Sequence, residues 1–408
     1  MIIVEPSASG HRPQYVRWLA DGALRRGHQV TLASQELDWS SPGLSDLAAE
    51  HGDRFAIVRP RGRSAPQLGV DSVSRLARAR AAHQVFQFTG ASVAEAMALR
   101  SHRVVVLPYL DHCLRVIALR GLPFPNLPAR TIMMRGGWRH QALLGTAPPT
   151  LRNRLAWRVE RAYLTCLLRQ PRIQIVGSVD PLFATLAART LGSGGKVRYL
   201  PDPFLGLPPE QGRSGVARKK FGLDSQDFVV LVFGGLAPRK GIEQLVAALR
   251  RIDSRRFKAL LVGRVHPTVG RFLDESASRK LRLEGRLVVV DEYVSREVEA
   301  QAFRAADAVW LGYSGHYTMS GVLVSAARYG LPTVACDQGS IGWLTKRYGL
   351  GEVVDPKDAL SVAAAICRLD RDDTLRATRV DHATRFARAH DPDAVSYTHL
   401  TLPTNREV

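Results

Sequence analysis

From its first residues the chain alternates between short, almost wholly apolar runs and longer stretches whose apolar residues recur three and four apart. MIIVEP is the first run, and it ends in a Pro/Ser/Gly loop. YVRWLADGALRRG follows, with Val16, Leu19, Ala20 and Leu24 at helical spacing and Gly27 as a stop signal. HQVTLAS is the next apolar run. Strand, helix and strand in succession form a crossover unit, which makes the two strands parallel. The alternation recurs: FAIVRP then helical spacing over 72–88, HRVVVLPYL then 112–120, ARTIMMRGG then 150–169, RIQIVGS then 180–191, and KVRYLPDP. Strands covered on both faces read as continuous apolar runs, as VVVLPYL and IQIVG do.

Pro and Gly crowd into PDPFLGLPPEQGRSGVA, residues 201–217, which reads as a linker. The alternation then restarts with DFVVLVFGGL, a helix over 241–251, FKALLVGRV, a helix near 268–283, RLVVVDEYV and a helix over 296–306. DAVWLGY, a helix over 320–329, PTVACDQ, a helix over 340–347, GEVVD and a helix over 357–369 complete it. The expectation is α/β throughout: two doubly wound parallel-sheet domains, 1–200 and 218–395. After Val395 the pattern stops. SYTHLTLPTNREV has no helical period and a central proline, and it reads as a non-native tail, 396–408, outside the fold.

Charge sharpens the picture for the first half. The net charge is +20, and residues 1–200 hold 27 Lys+Arg against 12 Asp+Glu. An excess of this size attracts an acidic partner, although Lys196 is the single lysine there, and so strong an arginine bias also arises from genome composition. The helix within LRNRLAWRVERAYLTCLLR puts Arg154, Arg158 and Arg161 on one face and Leu155, Val159, Ala162 and Cys166 on another, with Trp157 placed to sit at an interface. Two readings stand: loose docking on an anionic membrane surface, or a domain helix with a solvated arginine face, the simpler of the two. The four cysteines are far apart, which suggests neither a zinc site nor a disulfide framework and fits a cytoplasmic protein. No apolar run approaches the length of a membrane span. No Gly-x-Gly-x-x-Gly follows the first strand, which argues against a dinucleotide-dependent dehydrogenase.

Over 197–370 the successive segments VRYLPDP, FGGLAPRKGIEQLVAAL, LLVGR, VSREVEAQAFRAADAVWLGY, SAARYGLPTVA and GEVVDPKDALSVAAAI resemble, in order and spacing, the nucleotide-sugar domain of GT-B glycosyltransferases of family 4. The first half resembles that family only in shape. The resemblance implies the GT-B layout: two Rossmann-like domains facing a central cleft, the first binding acceptor and the second donor. It implies transfer of a sugar from a nucleotide-sugar to a polysaccharide, glycolipid or similar acceptor, with no other cofactor and no metal, since GT-B sites neutralise the diphosphate with protein groups and no Asp-x-Asp pair that would hold a metal is found. A partner surface of anionic lipid is compatible with it; nucleic acid is not expected.

The leaving nucleoside diphosphate gains negative charge in the transition state, so the site must supply cations and backbone donors. In the family, an Arg and a Lys on the loop after the first strand of the second domain do so, together with a helix N-terminus. Here the loop is FGGLAPRKG. Lys240 matches the Lys, Gly235 stands at the Arg position, and Arg239 is a candidate substitute. The family's pair of glutamates, which approach the donor sugar and the ribose, is replaced by Tyr317 and Ser325. The intervening stretch is small and hydroxyl-bearing, and His316, Thr318, Ser320 and Gly321 form a candidate phosphate cradle at a helix N-terminus. Plain capping by Thr318 or Ser320 is the alternative. Asp337 and Gln338 are candidates for a sugar contact. In the first domain His11, Asp111 and His112 follow strand ends; Asp111 or His112 is the candidate base if the reaction inverts. The rival class is a GT-B-shaped binding or partner protein without transfer activity, and a GT-B epimerase or phosphorylase fits the segment order less well.

Overall fold

The computed structural model describes residues 1–8, 12–38, 40–41, 43–60, 75–134, 150–192, 195–207 and 214–395, with backbone alone at 75, 152, 153, 373, 375 and 376. The candidate His11 and the tail 396–408 lie outside the described residues. The described chain forms two compact units, one from residues up to Pro201 together with those from Pro392 onward, and the other Asp202–Asp391.

The first unit is a seven-stranded sheet of β1 (Ile2–Val4), β2 (Val30–Ala33), β3 (Phe55–Val58), β4 (Val105–Leu107), β5 (Ala129–Met133), β6 (Ile173–Ser178) and β7 (Val197–Tyr199). Their order is β3-β2-β1-β4-β5-β6-β7, and every pairing is parallel. The second holds β8 (Phe228–Phe233), β9 (Phe257–Val262), β10 (Leu287–Val290), β11 (Ala308–Leu311), β12 (Thr333–Cys336) and β13 (Gly351–Val354). Its order is β10-β9-β8-β11-β12-β13, again all parallel. The apolar runs of the sequence are these strands, buried because helices cover both faces. In each sheet the winding direction reverses once, between β1 and β4 and between β8 and β11. In open sheets of this kind ligands bind beyond the carboxyl ends of the strands at such a switch point.

The helices of the first unit are α1 (Arg12–Arg25), α2 (Leu44–His51), α3 (Arg75–Leu99), α4 (Leu114–Arg120), α5 (Leu151–Arg169) and α6 (Pro181–Thr190). The second unit has α7 (Gly215–Lys220), α8 (Ile242–Leu249), α9 (Pro267–Leu273), α10 (Ser276–Leu283), α11 (Arg296–Ala305), α12 (Gly321–Arg328), α13 (Gly339–Tyr348), α14 (Ala359–Arg371) and α15 (Asp373–Ala389). Local chemistry sets several starts. Asp180 accepts from the N–H groups of Leu182 and Phe183 at 3.0 and 3.2 Å, and Pro181 supplies the fixed φ of a first helical position.

Three expectations change. The helix placed over 72–88 continues to Leu99, because Gly90 is a packing residue and not a stop: a Cβ there would come 2.8 Å from the Pro123 carbonyl oxygen. The helix near 268–283 is two helices, α9 and α10, with separate hydrogen-bonded ends at Asp274 and Glu275. Neither α2 nor α15 was expected; α15 packs along α12, with Phe386 against Tyr348 of α13 at 5.2 Å between ring centroids. The second unit is tied at its start by a buried ion pair. Arg218 of α7 meets Asp307 at 2.5 Å, and Asp307 also accepts from the Val229 N–H at 2.8 Å. Arg218 donates to the carbonyls of Asp224, Ser225, Asp227 and Ala305 as well, so its buried charge is satisfied.

Candidate functional site

Residues at the carboxyl ends of the strands gather at each switch point. In the second unit the loop after β8 and the turn after β11 press together. Gly241 holds φ 66° there, and a Cβ on it would collide with the Gly312 carbonyl. The Trp310 indole N–H donates to the carbonyls of Lys240 and Gly241 at 2.9 and 3.1 Å, and the Ser314 N–H donates to the Arg239 carbonyl at 2.8 Å. The loop bearing Arg239 and Lys240 is thereby fixed to β11 and to the turn after it that carries Tyr313.

Tyr313 organises the cluster. Lys240 Nζ donates to its hydroxyl at 3.0 Å and to the Phe233 carbonyl, and the Ser320 hydroxyl lies 3.4 Å from the same phenol oxygen. The Arg239 guanidinium and Lys240 Nζ sit 5.6 and 5.0 Å from the ring centroid, and the His316 ring meets it edge-on at 5.4 Å. Lys240 is buried. On one side its Nζ faces Gly234, where a Cβ would lie 3.5 Å away, so the missing side chain keeps that approach open. Gly235, at the position expected to hold an arginine, is exposed and has nothing within 4 Å of a Cβ.

The structure brings Lys240, Arg239, His316 and Ser320 to one place. Thr318 lies beside His316, whose Nε2 is 3.3 Å from the Thr318 hydroxyl and 3.2 Å from the Met319 carbonyl. Ser320 stands at the N-cap of α12, but its side chain makes no capping bond and turns to Tyr313. Plain capping is thus not what this serine does. Gly321, exposed at the helix start, has the Asp202 carboxylate beside it, 3.6 Å from where a Cβ would be. Tyr317 donates no acid, but its backbone carbonyl accepts from the Ser340 N–H at 2.9 Å and locks the turn onto α13. Gly339, at φ 68°, allows that approach. Asp337 is exposed beyond β12 and Gln338 half-buried.

Sequence reasoning missed a carboxyl group at the second of the two expected acid positions. Ser325 donates to Glu299 Oε1 at 3.4 Å, so α11 brings a glutamate to the place where α12 lacks one. Burial pushes the Glu299 carboxyl above the usual carboxylate range, and burial and Glu299 together push the Tyr329 phenol up to about 12. The signal in the sequence was weak: a glutamate in the first turn of a helix normally means dipole compensation.

In the first unit, Glu5 directly follows β1, and Tyr109, Asp111 and His112 follow β4. Glu5 and Arg12 form a buried ion pair at 2.6 Å, and the Ser7 N–H donates to the same carboxylate oxygen at 3.1 Å. Arg12 lies over the Tyr109 ring at 4.6 Å and donates to His112 Nε2 at 2.5 Å. A guanidinium only donates, so Nε2 must accept, and the ring proton of a neutral His112 sits on Nδ1. A base at His112 could not use Nε2 without losing Arg12. Asp111 Oδ2 accepts from the Met134 N–H at 2.8 Å. With Val4 and Cys113, the residues Glu5, Arg12, Tyr109 and His112 line a small pocket, and Asp111 is not part of its lining. Burial pushes the Glu5 carboxyl up to about 7, with Arg12 pulling the other way, and pushes the Cys113 thiol up to about 12, which leaves it no nucleophile.

Among the described residues one cluster has the chemistry of a metal site, Asp21, Glu50 and His51. Arg25 already holds Asp21 Oδ1 at 2.9 Å, and Arg54 donates to His51 Nδ1 at 3.1 Å. The imidazole proton is then on Nε2, the atom that faces the carboxylates.

Two all-parallel units, each with charged and hydroxyl groups gathered at its switch point, define the GT-B class. Residues 227–372 match the family described as Glycosyl transferases group 1. That match lies within the second unit, over the stretch where the sequence resembles the same enzymes, and the fold is GT-B. A phosphatidyl-myo-inositol mannosyltransferase from Mycolicibacterium smegmatis is 31% identical over 161 residues, a match that spans 39% of this chain and 40% of that protein. Among solved structures, a sucrose-phosphate synthase from Thermosynechococcus elongatus superposes with a TM-score of 0.71 at 20% identity, over 98% of this chain and 97% of that one. HepE from Anabaena, solved with UDP and glucose, gives 0.62 at 16% identity, over 98% of both chains.

Proposed function

We propose that the chain transfers a glycosyl group from a nucleoside-diphosphate sugar to a carbohydrate or lipid-linked acceptor. The observation that carries this reading is the assembly of Lys240, Arg239 and Ser320 around Tyr313 at the β8/β11 switch point, beside the N-terminus of α12. Departing diphosphate charge needs fixed cations and helix N–H donors, and these groups supply both without a metal. The bound UDP of the HepE relative supports a uridine nucleotide as the first donor to test. Asp111 fits the acceptor base better than His112, whose Nε2 is held by Arg12. The arginine-rich first unit favours work at the cytoplasmic face of a membrane.

A second reading has its own support: Gly235, Tyr317 and Ser325 replace three charged groups of the family pattern, as expected of a GT-B protein that binds without turnover. Thermal shift against a panel of nucleotide sugars, followed by nucleotide release with each stabilising donor, separates the two. Stabilisation with release supports transfer. Stabilisation without release supports the binding protein, and no stabilisation by any donor removes both.

A further inference from the structure

The helix α5 carries its apolar residues on the wrong side for a domain helix. Its inward contacts come from Leu164, Leu167 and Leu168, all in the C-terminal half. From Leu151 to Ala162 no described side chain is buried. Yet Leu151, Leu155 and Val159 are 83, 64 and 41% exposed. At roughly 100° per residue, these three and the exposed Ala162 fall within an arc of about 80°, opposite the inward leucines. A solvent face has no physical reason to select Leu, Leu and Val in register; an outward apolar stripe of this kind marks a contact surface.

The charges beside the stripe select its occupant. Arg154, Arg158 and Arg161 run along one flank, all exposed. Glu160 is the single acid of the helix sequence, and it is paired with Arg115. Trp157, expected at the interface, instead lies under the Arg161 guanidinium at 5.3 Å and is half-buried. A second copy of the chain meeting this face with its helix antiparallel about a two-fold axis would set arginine against arginine. A nucleic acid would answer the arginines and leave the leucines wet. A bilayer with anionic headgroups answers both at once: acyl chains for the stripe and lipid phosphates for the flank. Among the described residues no helix is long and apolar enough to cross a membrane, so attachment of this kind would be peripheral.

We propose that α5 is a docking helix that lies in the headgroup region of an anionic membrane, stripe inward and arginines on the phosphates. The proposal deepens the reading of a lipid-linked acceptor and rests on it only for the purpose of docking. Sedimentation with sucrose-loaded phosphatidylglycerol-rich vesicles at low salt tests it, with pure phosphatidylcholine vesicles as comparison. The wild type should pellet with the anionic vesicles and far less with the neutral ones. The Arg154→Gln, Arg158→Gln, Arg161→Gln variant should partition about a hundredfold more weakly. The Leu151→Ser, Leu155→Ser, Val159→Ser variant should lose binding to both vesicle types. All six positions are exposed, so thermal unfolding should be unchanged and a folding defect is detectable. Wild type that stays in the supernatant overturns the proposal, as does an apolar variant that binds like wild type. A self-associating wild type whose dimer is lost in the apolar variant, without vesicle binding, assigns the stripe to a second copy instead. UDP titration of the same proteins keeps the two questions apart: vesicle binding without nucleotide binding sinks the transfer reading alone.

Discussion

Lys240 and Tyr313 make opposite contributions to nucleotide binding if the phosphate reading is right, and the pair can be told apart by single substitutions. A lysine contact to a phosphate oxygen contributes roughly 1.5–3 kcal/mol. In the free protein, however, Nζ donates to the Tyr313 hydroxyl at 3.0 Å and to the Phe233 carbonyl. Turning to a ligand costs it one neutral-acceptor bond, about 1 kcal/mol. The net gain is then about 0.5–2 kcal/mol, and Lys240→Ala should weaken UDP binding by about two- to thirtyfold. Tyr313→Phe keeps the ring beneath Arg239 and Lys240 but removes the competing hydroxyl. It should tighten UDP binding by up to about fivefold, from the same 1 kcal/mol. Calorimetric titration of UDP and GDP at low salt reads both. Unchanged affinity in Lys240→Ala removes the lysine from the site. A Tyr313→Phe variant that weakens binding as much as Lys240→Ala would show that the phenol is itself a ligand or the support of one, and the competition argument fails.

Gly235→Arg should be tolerated, since nothing lies within 4 Å of a Cβ there and the glycine has no positive φ, and it should raise UDP affinity about tenfold by supplying a second cation; unchanged calorimetric affinity would argue against a phosphate at this loop. His390 donates from Nδ1 to the Asp202 carbonyl at 2.7 Å, and burial lowers its pKa to about 4 from 6.5. Its contribution, about 3 kcal/mol, is present above pH 6.5 and is lost as pH falls through about 4; urea unfolding across that range should show the slope in wild type and a shallower one in His390→Gln. Asp307→Ala strands the buried Arg218 charge and should destabilise the second unit by about 3–5 kcal/mol, read as a lower urea midpoint for its transition, while unit-one stability stays constant.

The strands were legible because both faces of each sheet are covered, so their residues are apolar in unbroken runs. Their winding followed from the alternation with helices. Helix α15 was not legible, since its sequence, DTLRATRVDHATRFARA, has no strong apolar face and it is held by packing on α12. At the site, Lys240 was visible through the family resemblance. Its partner was not, because Tyr313 ends the apolar run DAVWLGY and reads there as one more core residue. The Glu5–Arg12 pair and the Ser325–Glu299 contact join residues from different elements, which no local pattern announces. The two apolar arcs of α5 are both present in its periodicity. Which arc faces inward depends on where α4 and the sheet stand, and the simpler reading put only the arginines outside.

The central claim is that the chain releases a nucleoside diphosphate from a nucleotide sugar, and direct measurement of that product tests it best. Nucleoside diphosphate should accumulate when the protein meets UDP-sugars with a lipid extract as acceptor source, faster than without protein, and the rate should fall in Lys240→Ala. Saturating binding of the same donors with no diphosphate released, under any acceptor supplied, would contradict the account and leave a GT-B protein that binds without transferring.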